Sequence, residues 1–207
     1  MGPKITFTEN EIIESALIVL REKGERALTA RNIAQQMNGS TQPIYRIFKT
    51  MEELKAVLAD RIENLAFEYM SKDYDTKHNF LSIGIGFYKF SKDEPELFKF
   101  FYLTGRKKFF SIIENSHSEI LIQRMQKSTN LKKLEVDTLK TLLRDMAIYC
   151  NGLCVMNITR QENISEETFI RLLVEAGHKL ITYELLKKGE TIDDELFMRF
   201  KNNNSNS

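Results

Sequence analysis

The 207-residue chain has no tryptophan, three prolines, nine glycines and two cysteines. So few turn-forming residues disfavour an all-β fold, whose short strands need frequent reversals. Cys150 and Cys154 lie four apart in a helical stretch. They make no disulfide framework and suit a reducing compartment. His78, His117 and His178 are scattered without ligand spacing, so no metal or other cofactor is expected. No run of roughly 18 apolar residues occurs, so no helix is expected to span a membrane. The first residues lack an apolar core of the kind that directs secretion, and a cytoplasmic location is expected. Charge of one sign is also missing. The net charge is +1, so the chain as a whole is no general polyanion binder.

What is present is ample apolar material, at 42% hydrophobic, with 29% charged residues to keep it in solution. The apolar spacing is helical almost throughout. Thr8 and Glu11 form a capping box before Ile12, Ile13, Ala16, Leu17 and Leu20, and Gly24 stops that helix. Thr29 caps a second helix whose inward face is Ile33, Ala34 and Met37. Asn38-Gly39 supplies a turn, since both residues tolerate positive φ. Ser40 caps a third, short helix ending near Phe48, and Thr50 with Glu53 opens a fourth through about Met70. Further helices are expected near 76–93, 95–103, 107–126, 135–160 and 165–187. A weak segment over 193–200 precedes a polar tail, 202–207, with nothing to bury. The expected fold is all-α: an N-terminal three-helix unit over 5–67, then a larger helical body over 68–201.

Residues 29–48 have the shape of a helix-turn-helix. Ala34 offers the small side chain that a close crossing needs. Ile44, Ile47 and Phe48 hold the second helix down, which leaves Thr41, Gln42, Tyr45 and Arg46 to face outward. Pro43 falls in the first turn, where its missing N–H has no partner to lose. From Arg26 to Met51 there is no Asp or Glu, the longest acid-free stretch in the chain, while Arg26, Arg31, Arg46 and Lys49 fall inside it. A local positive field over such a motif suits a phosphate backbone.

Ile12 to Leu58 resembles the DNA-binding domain of TetR/AcrR-type transcriptional regulators. The resemblance rests on IIESALIVLREKG, on ALTARNIAQQM, on the run Ser40-Thr41-Gln42-Pro43-Ile44-Tyr45-Arg46-Ile47-Phe48, and on MEEL. It covers about a quarter of the chain. The turn departs from the family's common Gly-Val-Ser, and Met51 stands where a phosphate-binding Lys is frequent. The resemblance implies a homodimer that binds palindromic double-stranded DNA, in most of the family as a repressor released by a small effector. It implies phosphate contacts from Thr29 and Tyr45, and base contacts from Thr41 and Gln42. Arg31, Ser40, Arg46, Lys49 and Lys55 complete the expected DNA-binding set, with Lys49 or Lys55 substituting for the missing Lys.

The body carries no motif of its own. Eight phenylalanines fall between Phe80 and Phe110: Phe80, Phe87, Phe90, Phe98, Phe100, Phe101, Phe109 and Phe110. Such a cluster usually forms core. The resemblance places an effector cavity here, for which Phe87, Phe90, Phe101, Phe110, Met146 and Tyr149 are the candidate lining, and an apolar or aromatic ligand fits it. The last two helices resemble the family's dimer interface, with Leu142, Met146, Leu153, Leu173, Gly177 and Leu180 as candidates. Gly152 and Gly177 each cost about 1 kcal/mol in a helix relative to Ala, which close helix approach would explain. A dimer would present two recognition helices about 34 Å apart, or a multiple of that. Two other classes remain open: a helical sensor or carrier that no longer binds DNA, and an all-α enzyme. No acid, base or nucleophile constellation favours the enzyme.

Overall fold

The computed structural model describes residues 7–74, 78–106, 108, 110–114 and 117–191. The weak segment 193–200, the tail 202–207 and Phe109 lie outside the described residues. Those described form helices and no strand, so the fold is all-α as expected. In order they are α1 (Glu9–Lys23), a 3-10 turn (Glu25–Ala27), α2 (Ala30–Gln36), α3 (Gln42–Ile47), α4 (Met51–Ser71), α5 (Asn79–Asp93) and α6 (Pro95–Phe98), which widens into a π turn (Lys99–Leu103). Then come α7 (Ser111–Glu114), α8 (His117–Met125), a 3-10 turn (Leu131–Lys133), α9 (Val136–Ile158) and α10 (Glu166–Lys187). The helix expected over 107–126 is described in part, as α7 and α8; residues 115 and 116 between them lie outside the described residues.

Caps set these boundaries. Both arms of the Thr8–Glu11 box form: the Glu11 amide donates to Thr8 Oγ1 at 3.3 Å, and the Thr8 amide donates to Glu11 Oε2 at 2.7 Å. At α4 the Glu53 amide donates to Thr50 Oγ1 at 3.1 Å, while the Glu53 carboxylate accepts from the Lys49 amide at 2.8 Å. Ser165 caps α10 through the Thr168 amide at 3.1 Å. Such caps contribute about 1 kcal/mol each. Three helices end in one device, in which the residue after the cap turns left-handed and two amides reach back. Asn38 ends α2 with φ 51°, Arg160 ends α9 with φ 59°, and Gly189 ends α10 with φ 73°. At α2 the Gly39 amide donates to Ala34 O at 2.9 Å and the Asn38 amide to Gln35 O at 3.1 Å.

The chain packs as two units, Met1–Leu65 with Asp93–Phe109, and Ala66–Lys92 with Phe110–Ser207. The first boundary falls inside α4. Residues 93–109, which the sequence reading assigned to the body, pack with the first unit, where α1 meets both α2 and α6. That unit's core combines Ile12, Leu17, Leu20, Ile33, Ile44 and Leu54 with Leu97, Phe98, Phe100 and Phe101, all buried. The second unit buries Phe87, Tyr88, Phe90, Leu139, Leu143 and Phe169. The run of phenylalanines is thus contiguous in sequence but divided in space.

Close backbone approach occurs in the second unit at Gly86. A Cβ there would lie 2.3 Å from Tyr69 O and 2.7 Å from Met70 Cα. Gly152 and Gly177 have nothing within 4 Å of a Cβ, so no close approach within the chain explains them.

Candidate nucleic-acid interface

The helix-turn-helix forms over the expected residues. Ala34, Ile44 and Phe48 are buried and Ile47 is half-buried, which fixes α2 and α3 to their unit. The turn departs from expectation in two ways. Asn38 alone takes positive φ, and Gly39 is small for a different reason: a Cβ there would lie 2.7 Å from the Phe7 ring. The cap of α3 is Thr41 rather than Ser40, and it makes no side-chain capping bond. Ser40 has no amide to receive: the side-chain caps at Thr8, Thr29 and Ser165 accept from the amide three residues on, and three residues after Ser40 stands Pro43, which has no N–H. Thr41 itself is turned into the helical region, at φ −74° and ψ −14°. The hydroxyls of Ser40 and Thr41 consequently stay outside the helix's own bonding.

The remaining sequence-named residues divide by exposure. Arg31, Ser40, Gln42, Tyr45, Arg46 and Lys49 are exposed, and Thr41 is half-buried. Tyr45 has half its surface open, although Ile44 beside it is fully buried. Thr29 is exposed, and its Oγ1 accepts from the Asn32 amide at 3.3 Å. That cap uses a lone pair and leaves the hydroxyl proton available for an outside acceptor. Among the described residues Arg26, Arg31, Arg46 and Lys49 form no ion pair, so their charge is uncompensated locally. Lys55 differs. Its Nζ donates to Glu52 Oε1 at 2.8 Å, and its side chain is only 17% exposed. Lys55 and then Arg106 hold the Glu52 carboxyl below its ordinary pKa by hydrogen bonding.

One residue of this unit is absent from the set named from the sequence: Arg106, which pairs with both Glu25 and Glu52. The signal available in advance was that those two acids bound the acid-free window.

In the second unit, the candidate lining residues Phe87, Phe90 and Met146 are buried, while Phe110 and Tyr149 are half-buried. Phe101 is buried in the first unit. Burial raises the Tyr149 phenol. It also raises the Cys150 thiol, and lifts the Cys154 thiol to about 12. In both cases burial disfavours the thiolate. Of the candidate dimer residues, Leu142, Met146, Leu153 and Leu173 are buried within the chain, as is Gly177, and Leu180 is half-buried. The apolar side chains that α9 and α10 leave exposed are others: Val136, Ile148, Tyr183 and Leu186. A helix buries one stripe in its own core, so a second apolar stripe must carry any further face.

No family model and no curated protein matches this chain. Among solved structures it is similar to a TetR-like transcriptional regulator from Rhodococcus sp. RHA1, with a TM-score of 0.54 and 15% identity, over 83% of this chain and 93% of that one. At that identity the likeness shows a shared all-helical fold. Among the described residues no helix is long and apolar enough to cross a membrane, and no group of His, Cys, Asp and Glu could hold a metal ion.

Proposed function

We propose that this chain is a DNA-binding transcriptional regulator. The observation that carries the reading is the exposed, acid-free face of α2 and α3. Gln42, Tyr45, Arg46, Arg31 and Lys49 are open there, on helices anchored by Ile44 and Phe48. The fold it shares with a TetR-like regulator supports the same reading. Thr29 and Tyr45 meet phosphate through their hydroxyls. Gln42 reads a base edge, where its amide pairs with adenine, and Thr41 lies beside it. Arg46 and Lys49 supply charge to the backbone. Lys55 joins them only after leaving Glu52.

The active form is a homodimer, because one short recognition helix reads too few base pairs to specify a site. The exposed apolar side chains of α9 and α10, Ile148, Tyr183 and Leu186, support a second copy as the partner of that surface. The second unit takes a small, largely apolar effector among Phe87, Phe90, Phe110, Met146 and Tyr149. The protein acts as a repressor, and effector binding releases the DNA in proportion to the effector's preference for the unbound arrangement.

The test is selection of tight binders from random duplex DNA, then a salt titration of the winner. A two-fold symmetric site with steep salt dependence is expected. No enriched sequence, with protein stripped of co-purified ligand, would end the regulator reading in favour of a helical sensor. Ile148→Asp is expected to halve the solution mass by light scattering and to remove binding to the symmetric site.

A further inference from the structure

Glu25 and Glu52 are the last acid before the acid-free window and the first one after it. One cation joins them. Arg106 Nη1 donates to Glu52 Oε2 at 2.9 Å, and Nη2 donates to Glu25 Oε1. The guanidinium lies over the Phe100 ring, 4.9 Å from its centroid, and its side chain is 20% exposed. The contact is thus a fork held against an aromatic face, unlike the loose pair of two solvated side chains. Glu25 sits in the turn before α2, and Glu52 in the first turn of α4. The fork therefore spans the two ends of the helix-turn-helix. At the other end of the same segment, the Glu94 carboxylate accepts from Arg21 Nε at 3.1 and 2.9 Å. The segment 93–106 offers an acid to the cation of α1, and a cation to the two acids that flank the window.

Without Arg106, Glu52 would keep Lys55 as a partner while Glu25 would lose the cation it holds, and carboxylate charge left uncompensated at the margin of a phosphate-binding face repels the ligand over a Debye length of about 10 Å at 0.1 M salt. We propose that Arg106 is a positioning residue for DNA binding: paired with the acids that flank the helix-turn-helix, it withdraws their charge from the approaching phosphates. The proposal rests on the regulator reading above. Arg106 itself need not touch DNA. Its guanidinium is occupied by two carboxylates, which sets it apart from the free cations Arg31, Arg46 and Lys49.

The experiment uses the full chain and a fluorescein-labelled duplex of arbitrary sequence, long enough for two half-sites, with binding read by anisotropy across a salt series. Arg106→Gln is expected to bind about tenfold more weakly at low salt, with the deficit shrinking as salt screens the freed carboxylate. The double variant Arg106→Gln, Glu25→Gln leaves Glu52 on Lys55 and is expected to recover most of the lost affinity. Circular dichroism melts establish that each variant is folded. Should Arg106→Gln melt early, the double variant carries the test alone, since it leaves no acid without a partner at Glu25. Wild-type affinity in a folded Arg106→Gln protein overturns the proposal. So does a double variant that stays as weak as the single one, because a purely packing role for Arg106 would not be rescued by removing the acid. A wild-type protein that binds no duplex at low salt ends the regulator reading and this proposal with it. Binding wild type with an unaffected variant ends only the latter.

Discussion

α2 and α3 are seven and six residues long, whereas α9 and α10 run to 23 and 22. Helices as short as the first pair do not hold themselves. They depend on Thr29, on the left-handed Asn38, on a few buried side chains and on ties at their margins. The long pair buries whole stripes, from Leu139 through Cys154 on α9 and from Phe169 through Leu185 on α10. What each pair leaves in water also differs. The short pair exposes amides, hydroxyls and cations around a single exposed tyrosine. The long pair exposes Ile148, Tyr183 and Leu186. The first surface suits a polyanion and the second suits protein. The two are told apart by what remains after the core is satisfied, more than by what the core contains.

The contrast breaks most readily at its isoleucines. Ile44 is fully buried and Ile148 is about half exposed. Ile44→Ala is expected to cost about 3 kcal/mol by chemical denaturation, from lost burial and the cavity left behind. Ile148→Ala is expected to stay within about 0.5 kcal/mol for the single chain. Equal costs would mean that the exposed face is misidentified. The glycines come next. Gly86→Ala drives a methyl into the backbone of Tyr69 and Met70 and is expected to destabilise by about 2 kcal/mol. Gly152→Ala meets open space on an exposed helix position and is expected to stabilise the single chain by about 1 kcal/mol. A thermal melt in which Gly152→Ala lowers stability, with the loss growing as protein concentration rises, would show that a second copy covers that position.

Smaller effects separate the two exposed tyrosines. Tyr45→Phe removes one hydroxyl from the proposed phosphate face and is expected to weaken duplex binding by about 3- to 10-fold, equally for all sequences. Tyr183→Phe is expected to leave DNA affinity unchanged. The smallest difference lies between two helix ends of the same design. Arg160 holds φ 59° without the relief that Asn finds in that region, so Arg160→Gly is expected to raise stability by about 0.5 kcal/mol. Asn38→Gly is expected to change stability by less than that, since Asn already tolerates φ 51°.

Much of the fold is written in local rules. The Thr8–Glu11 box, the Ser165 cap, Pro95 at the start of α6 and the Gly189 stop are one-turn devices, and their residues announce them. The buried faces of α1 and α3 follow from helical periodicity for the same reason. Where a second element decides the outcome, local reading fails. Gly39 looks like a φ requirement but is a clearance for Phe7. Ser40 has a cap's chemistry, yet the helix begins one residue later because Pro43 removes the amide to be capped. The α9 and α10 stripes named for a dimer are apolar, but periodicity cannot say whether an apolar stripe meets its own chain or another. The Arg106 fork joins residues 81 and 54 positions apart, and no one-turn rule reaches that far.

The first unit is discontinuous in the chain, closing only when residues 93–109 join those before Leu65. That arrangement has a consequence for synthesis. Domains tend to fold as they emerge, N-terminal first, while the ribosome adds about 5–20 residues per second. Here the N-terminal helices emerge without Leu97, Phe98, Phe100 and Phe101 to complete their core, and without Arg106 to pair Glu25 and Glu52. The window of cations is therefore displayed on a nascent chain for seconds before the segment that finishes it arrives. A gene fragment cut after α4 would make that unfinished state permanent.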